Sequence, residues 1–164
     1  MTSGAELLAE FDQEMANTRK ALERIPDDKL SFKPHEKSYS LLELGSHLAN
    51  LPTWTPVTLT TTELDLDQPW DREAPQNRDE ILADFDAAVK QARPVLEAAT
   101  GEDMQVMWTL KSGDQVWFTL PRGAVFRSFV MSHMIHHRAQ LTVYLRLLDV
   151  PVPGMYGPSA DEAQ

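Results

Sequence analysis

Ser132-His133-Met134-Ile135-His136-His137-Arg138-Ala139-Gln140-Leu141 lies in the middle of a long helical pattern. Pro121 fits the first turn of that helix, and Pro151 with Pro153 ends it near Asp149, because a proline inside the ladder lacks a donor and clashes with the preceding turn. At about 100° per residue, Phe126, Val130, Met134, Leu141, Leu145 and Leu148 gather within roughly 60° of one direction. His133 and His137 fall in the same sector. They are four residues apart, so their imidazoles stack one turn from each other, a spacing that lets two ring nitrogens reach a single ion from one helix face. His136 points about 120° away and is expected to stay out of any such group.

Upstream, Val106-Met107-Trp108-Thr109-Leu110 and Gln115-Val116-Trp117-Phe118-Thr119 flank Lys111-Ser112-Gly113-Asp114, two aromatic and β-branched strands around a glycine-containing turn. Before this hairpin, Asn77 or Asp79 can cap a helix carrying Ile81, Leu82, Phe85, Val89, Ala92 and Leu96, with Gly101 past its end. Residues 65–77, with Pro69, Pro75 and several acids, read as a polar connection. Ser40-Leu41-Leu42-Glu43 has the spacing of a capping box, so another helix starts near Ser40 on a seam of Leu41, Leu44, Leu48 and Leu51 and meets Pro52. Residues 55–63 are candidates to resume it. The first helix runs over residues 4–25 on Leu7, Leu8, Phe11, Met15, Ala21 and Leu22 and stops at Pro26. The tail after Gly157 reads as frayed or packed on a partner. The expected fold is all-α: a four-helix bundle with a small β-hairpin between the third and fourth helices, forming one domain over residues 1–164.

Composition narrows the function. With 164 residues, 42% of them apolar, the chain is large enough to bury roughly 70% of its unfolded surface. Fifteen Lys+Arg against 25 Asp+Glu give a formal charge of −10, which leaves no electrostatic footprint for nucleic acid or an anionic membrane surface. Neither is expected as a partner. Cysteine is absent, so disulfides, thiolate nucleophiles and cysteine-based metal sites are excluded, and any metal must be held by His, Asp or Glu. The acidic N-terminus lacks a basic segment followed by an apolar one, and no apolar run approaches the roughly 18 residues of a membrane span. A cytoplasmic setting is expected.

There are five histidines. His47 falls three after Leu44 and four before Leu51, adjacent to the leucine seam of the second helix, so His47, His133 and His137 face inward from two helices. Each unpartnered imidazole brought into an apolar core costs on the order of 1–3 kcal/mol for its unsatisfied nitrogens. One shared cation would satisfy all three, and separate local hydrogen bonds are the alternative. Other chemistries fail on spacing. No Glu has a His three residues later, as a di-iron carboxylate bundle needs. His-Glu-x-x-His, a P-loop, Gly-x-Gly-x-x-Gly and a Gly-x-Ser-x-Gly elbow are also missing.

Leu44-Gly45-Ser46-His47-Leu48, the Trp-containing hairpin, the quoted His-rich helix and the closing Val150-Pro151-Val152-Pro153-Gly154-Met155-Tyr156-Gly157-Pro158-Ser159 together resemble the DinB-like superfamily of metal-binding four-helix bundles. The resemblance covers nearly the whole chain. It implies that His47, His133 and His137 hold the metal and that His136 stays outside. The sequence departs at Ala139, where the family's helix often has Gly, a change expected to affect helix packing more than ligation. Relatives of this kind include thiol transferases for bacillithiol or mycothiol, isomerases and many proteins of unassigned activity, and the resemblance implies a homodimer. Four Trp and an aromatic, proline-rich tail agree with apolar surface that a monomer leaves uncovered.

Three neutral imidazoles on a divalent ion, with zinc or nickel expected, leave a coordination position open. Such an ion can bring the pKa of water toward about 7 or hold a thiol as thiolate. The leading expectation is therefore a metal-dependent transferase or hydrolase acting on a small molecule. A low-molecular-weight-thiol S-transferase is its most specific form. The rival is a non-catalytic, metal-stabilised dimeric binding or stress-response module. No catalytic residue stands out. Glu43 lies one turn before His47 and could act as a base, but capping is its expected task. Gln140 and Tyr144 flank the His133/His137 stripe as ligand-orienting or plain boundary residues. Trp54, Trp70, Trp108 and Trp117 read as core or interface, Met104 and Met107 as packing, and the acidic residues 63–73 as a solvated loop.

Overall fold

The computed structural model describes residues 2–69 and 73–162, and Trp70 lies outside them. Helix α1 (Gly4–Leu22) opens with a capping box in which Glu6 accepts from the Ser3 N–H at 2.7 Å while the Ser3 hydroxyl accepts from Glu6. It ends three residues before Ile25, which is nonetheless fully buried. Helix α2 (Leu41–Asn50) starts as its Ser-x-x-Glu spacing predicts, with Ser40 N–H donating to Glu43 at 2.6 Å and Glu43 N–H to the Ser40 hydroxyl at 3.2 Å.

Pro52 breaks the ladder into a short 3-10 turn, Leu51–Thr53, and α3 (Trp54–Thr60) resumes it one residue earlier and stops three residues sooner than expected. The chain then forms β1 (Glu63–Asp65), which pairs in parallel with β2 (Met107–Ser112), itself antiparallel to β3 (Gln115–Pro121). The expected hairpin is thus the larger part of a three-stranded sheet, and residues 63–65, expected at the start of a solvated acidic loop, are strand. Three residues are too few to show a period of two, and the strand's partner lies far along the chain, so local pattern could not reveal it.

Helix α4 (Arg78–Ala98) is capped by Asn77, whose side-chain oxygen accepts from Glu80 N–H at 2.9 Å. The C-terminal helix starts right after β3 as α5 (Arg122–Val125), passes through a π-helical segment, Phe126–Ser132, and continues as α6 (His133–Leu147). A uniform α-helix was the expectation there. Asp149 takes the left-handed position beyond the end at φ 57°, and Val150 N–H returns to Leu145 O at 2.9 Å, closing the helix before Pro151.

The fold is mostly helical, with α1, α2, α4 and α6 as the bundle around a core that includes Phe11, Leu44, Leu48, Ile81, Phe85, Phe126, Met134 and Leu141. Gly45 permits the close approach of α2: a Cβ there would stand 2.9 Å from both Ile25 Cδ1 and Ile81 Cδ1. Trp108, Leu110 and Val125 form a smaller core under the sheet. Up to Glu162 the described tail is held by its own chain. Asp161 pairs with Arg146 at 2.6 Å and accepts from Val152 N–H, and Glu162 accepts from the N–H groups of Gly154 and Ser159. Among the described residues no helix is long and apolar enough to cross a membrane.

Candidate metal centre

Helices α2 and α6 lie side by side, and the seam between them brings the three inward histidines together. One ligand atom from each of His47, His133 and His137 lies within 4.8 Å of the others, the one such group of His, Cys, Asp or Glu among the described residues. Their ring centroids are 4.4 to 5.0 Å apart, and His47 Nε2 is 3.3 Å from His133 Nε2. All three are half-buried, while His136 is exposed as expected. The donor set fits a borderline divalent ion: imidazole nitrogens converge, and no carboxylate or thiolate joins them.

The electrostatics hold these rings neutral. Burial pushes His47 down to about 4, and His137 and His133 push the same way by disfavouring a second positive charge. His133 and His137 are also lowered, first by burial. A neutral imidazole keeps a lone pair for a cation, so metal faces little competition from protons at pH 7.

This depression has a consequence for the metal-free protein. Unfolded, the imidazoles protonate near the ordinary 6.5, whereas the folded site refuses the proton until lower pH. Stability present above pH 6.5 is therefore lost as pH falls from about 6.5 toward about 4. Glu43, Asp65, Asp103, Asp161 and Glu162 are all lowered from 4.5 or less, so their losses begin lower still. A melting-temperature profile of metal-free protein should be flat above pH 7 and fall between about 6.5 and 4.5, and His47→Leu should flatten that part.

Two neighbours orient the rings. Gln140 Oε1 lies 2.8 Å from His137 Nδ1, and Gln140 Nε2 lies 3.0 Å from His136 Nε2. The amide thus accepts from His137 Nδ1–H, leaving Nε2 bare for an ion, and donates to His136. The Phe129 carbonyl lies beside the His133 ring and favours a proton on it. Glu43 is engaged in its capping box and lies 3.4 Å from Lys33, which together hold its carboxyl below the usual range. It is a capping anion and not a base poised near neutrality. Tyr144 is buried, its hydroxyl donating to Tyr39 O at 3.0 Å.

Sequence reasoning missed Tyr39. Its ring stands 5.8 Å from that of His47 and 6.2 Å from that of His137, against two of the three histidines. Tyr39 also lines two clefts, one of about 350 Å³ reaching His47 beside Ser46, Asn50 and Gln76, the other of about 340 Å³ reaching His137 beside Lys37 and Gln140. A residue just before a cap in a polar loop carries no periodicity that could announce this. The tryptophans diverge: Trp108 is fully buried, Trp54 half-buried against Phe129, and Trp117 63% exposed. Met104 packs in the core, but Met107 is half-exposed at the start of β2 and does not.

A model of the DinB family matches residues 1–164. The chain belongs to the DinB family. Its fold resembles a DinB-like protein from Bacillus cereus ATCC 10987, with a TM-score of 0.69, 22% identity, and coverage of 92% of this chain and 96% of that one. It is equally similar to the DinB-like protein YjoA of Bacillus subtilis, at a TM-score of 0.69 and 20% identity over 89% of this chain and 95% of that one. An uncharacterized Bacillus subtilis protein, YrdA, is 42% identical over 43 residues, a quarter of each chain. Within this DinB-family chain, the departure at Ala139 is exposed to solvent.

Proposed function

We propose that this DinB-family chain binds one divalent ion, zinc or nickel, through His47, His133 and His137 and uses it to transfer or hydrolyse a small molecule. The observation that carries this reading is the convergence of three neutral imidazoles within 4.8 Å, with His47 lining one cleft and His137 another. Such an ion supplies Lewis acidity, which makes a thiol or a water nucleophilic near neutral pH without a protein cysteine. The chain's own groups do the rest: Gln140 and the Phe129 carbonyl orient the rings, and Tyr39 stands against two of them.

Of the two reactions, transfer to a low-molecular-weight thiol is the more specific proposal. Two clefts of similar size, one lined by His47, the other by His137 and both by Tyr39, suit two reactants better than one reactant and water. The thiol loses its proton to solvent, its sulfur bonds to an electrophilic carbon, and the leaving group departs with its electron pair. Screening with glutathione-like, bacillithiol-like and mycothiol-like thiols against small electrophiles should give turnover that depends on the added metal and rises with pH through an apparent pKa that moves when the metal is exchanged. Absence of metal-dependent turnover across that screen would leave the metal-stabilised, non-catalytic module as the better reading.

We also propose a homodimer in a cytoplasmic setting. Val143 and Leu147, each 57% exposed and four residues apart, form an apolar stripe on α6. Light scattering at micromolar concentration should report twice the chain mass, and a monomer there would overturn the proposal.

A further inference from the structure

The helix that carries His133 and His137 changes register just before the first of them. Over Phe126–Ser132 the ladder is π-helical, and the His133 N–H bonds to Ser128 O, five residues back, and to Val130 O. In an α-helix that N–H would go to the carbonyl four residues back, which is Phe129 O. Phe129 O instead lies beside the His133 ring and favours a proton on it. Because His133 Nε2 faces His47 Nε2 at 3.3 Å, the nitrogen turned to Phe129 is Nδ1.

We infer that the π-helical segment is a positioning device: it withdraws the His133 amide from the Phe129 carbonyl so that this carbonyl can hold His133 Nδ1–H and point a bare Nε2 at the metal. The inference rests on the reading that His133 is a ligand. Extra residues that widen one helical turn occur often at functional sites, and a ligating His commonly gives its second N–H to a carbonyl or carboxylate. His137 has Gln140 for that purpose. His133 has no such side chain, and the backbone takes the role. Phe129 and Phe118 stack with centroids 4.6 Å apart, and Trp54 lies parallel to Phe129, so the carbonyl's residue is itself fixed by packing.

Two experiments test this. In metal-free protein carrying ¹⁵N-histidine, long-range proton–nitrogen correlation should show His133 as the Nδ1–H tautomer with a slowly exchanging proton. A Nε2–H ring, or a fast average of both forms, would overturn the inference. Deleting Ser128, an exposed residue in the π-helical segment, closes the register so that the His133 amide reaches Phe129 O. Zinc affinity should then fall about 10–100-fold, as for loss of other partners behind a ligand, with helical circular dichroism and melting temperature retained. A folded deletion variant that binds zinc within about twofold of wild type would equally overturn it. Should the variant fail to fold, the tautomer of the intact chain decides alone. Wild-type protein that binds no zinc yet shows the fixed Nδ1–H tautomer refutes the metal reading and leaves the backbone device standing.

Discussion

Replacing His47, His133 or His137 singly by Ala should weaken zinc or nickel binding by more than about a hundredfold, since loss of a partner behind a ligand alone costs about 10–100-fold. His136→Ala should change it by no more than about twofold, because that ring is exposed and, although it stands 4.9 Å from the His137 ring, it contributes no atom to the three-histidine group. Isothermal titration of each variant checks both statements. The metal-free fold should survive the ligand substitutions, because half-burying neutral imidazoles costs stability rather than adding it. Metal at about 100 times its Kd should stabilise wild type by about 2.7 kcal/mol and the His47 variant by almost nothing. A His47→Ala protein that melts normally without metal yet has lost turnover places the ion in the chemistry. If turnover survives, the ion serves helix packing.

The second large effect lies away from the site. Arg138, three positions before Leu141 on α6, is 2% exposed and pairs at 2.6 Å with Glu14 of α1, itself 5% exposed. Arg138 also donates to Glu14 O and Thr18 Oγ1, and the Tyr156 hydroxyl, held by Arg138, donates to the Glu14 carboxylate at 2.9 Å. Asn17 binds Met155 O, so the network ties α1, α6 and the C-terminal tail together. Removing one partner of a buried pair typically costs about 3–5 kcal/mol, because the other charge is left uncompensated. Arg138→Ala should therefore lower the melting temperature by roughly 6–20 °C in a chain of this size. Glu14→Leu combined with Arg138→Leu should recover much of the loss, since an apolar pair of similar volume leaves no charge behind. A single variant within about 1 kcal/mol of wild type, measured by denaturant unfolding, would show that solvent still reaches the pair.

The legible part of this molecule is the part written in local periodicity. The capping box at the start of α2 and the inward phase of His47, His133 and His137 follow from residues a few positions apart, and the structure brings them together as read, whereas the Ser3/Glu6 box of α1 goes unread although its spacing is the same. Arg138 is not legible this way, since at about 80° from Val130 it falls outside the apolar sector, and its burial follows from its non-local partner Glu14 on α1. β1 stayed hidden because its pairing with β2 is non-local. The π-helical segment stayed hidden because widening one turn alters each residue's angle only slightly and needs no particular side chain. Tyr39 stands against two of the histidines from a loop whose course is set by tertiary contacts, among them Tyr144 holding its carbonyl.

The most direct test of the three-histidine centre is the metal content of protein purified without an affinity tag or chelating resin, then loaded with a divalent metal and freed of excess by gel filtration. One ion per chain is expected for wild type, and near zero for His133→Ala that retains its helical circular dichroism. Less than about a tenth of an ion per wild-type chain, or an unchanged ion in the His133 variant, would contradict a site built from His47, His133 and His137.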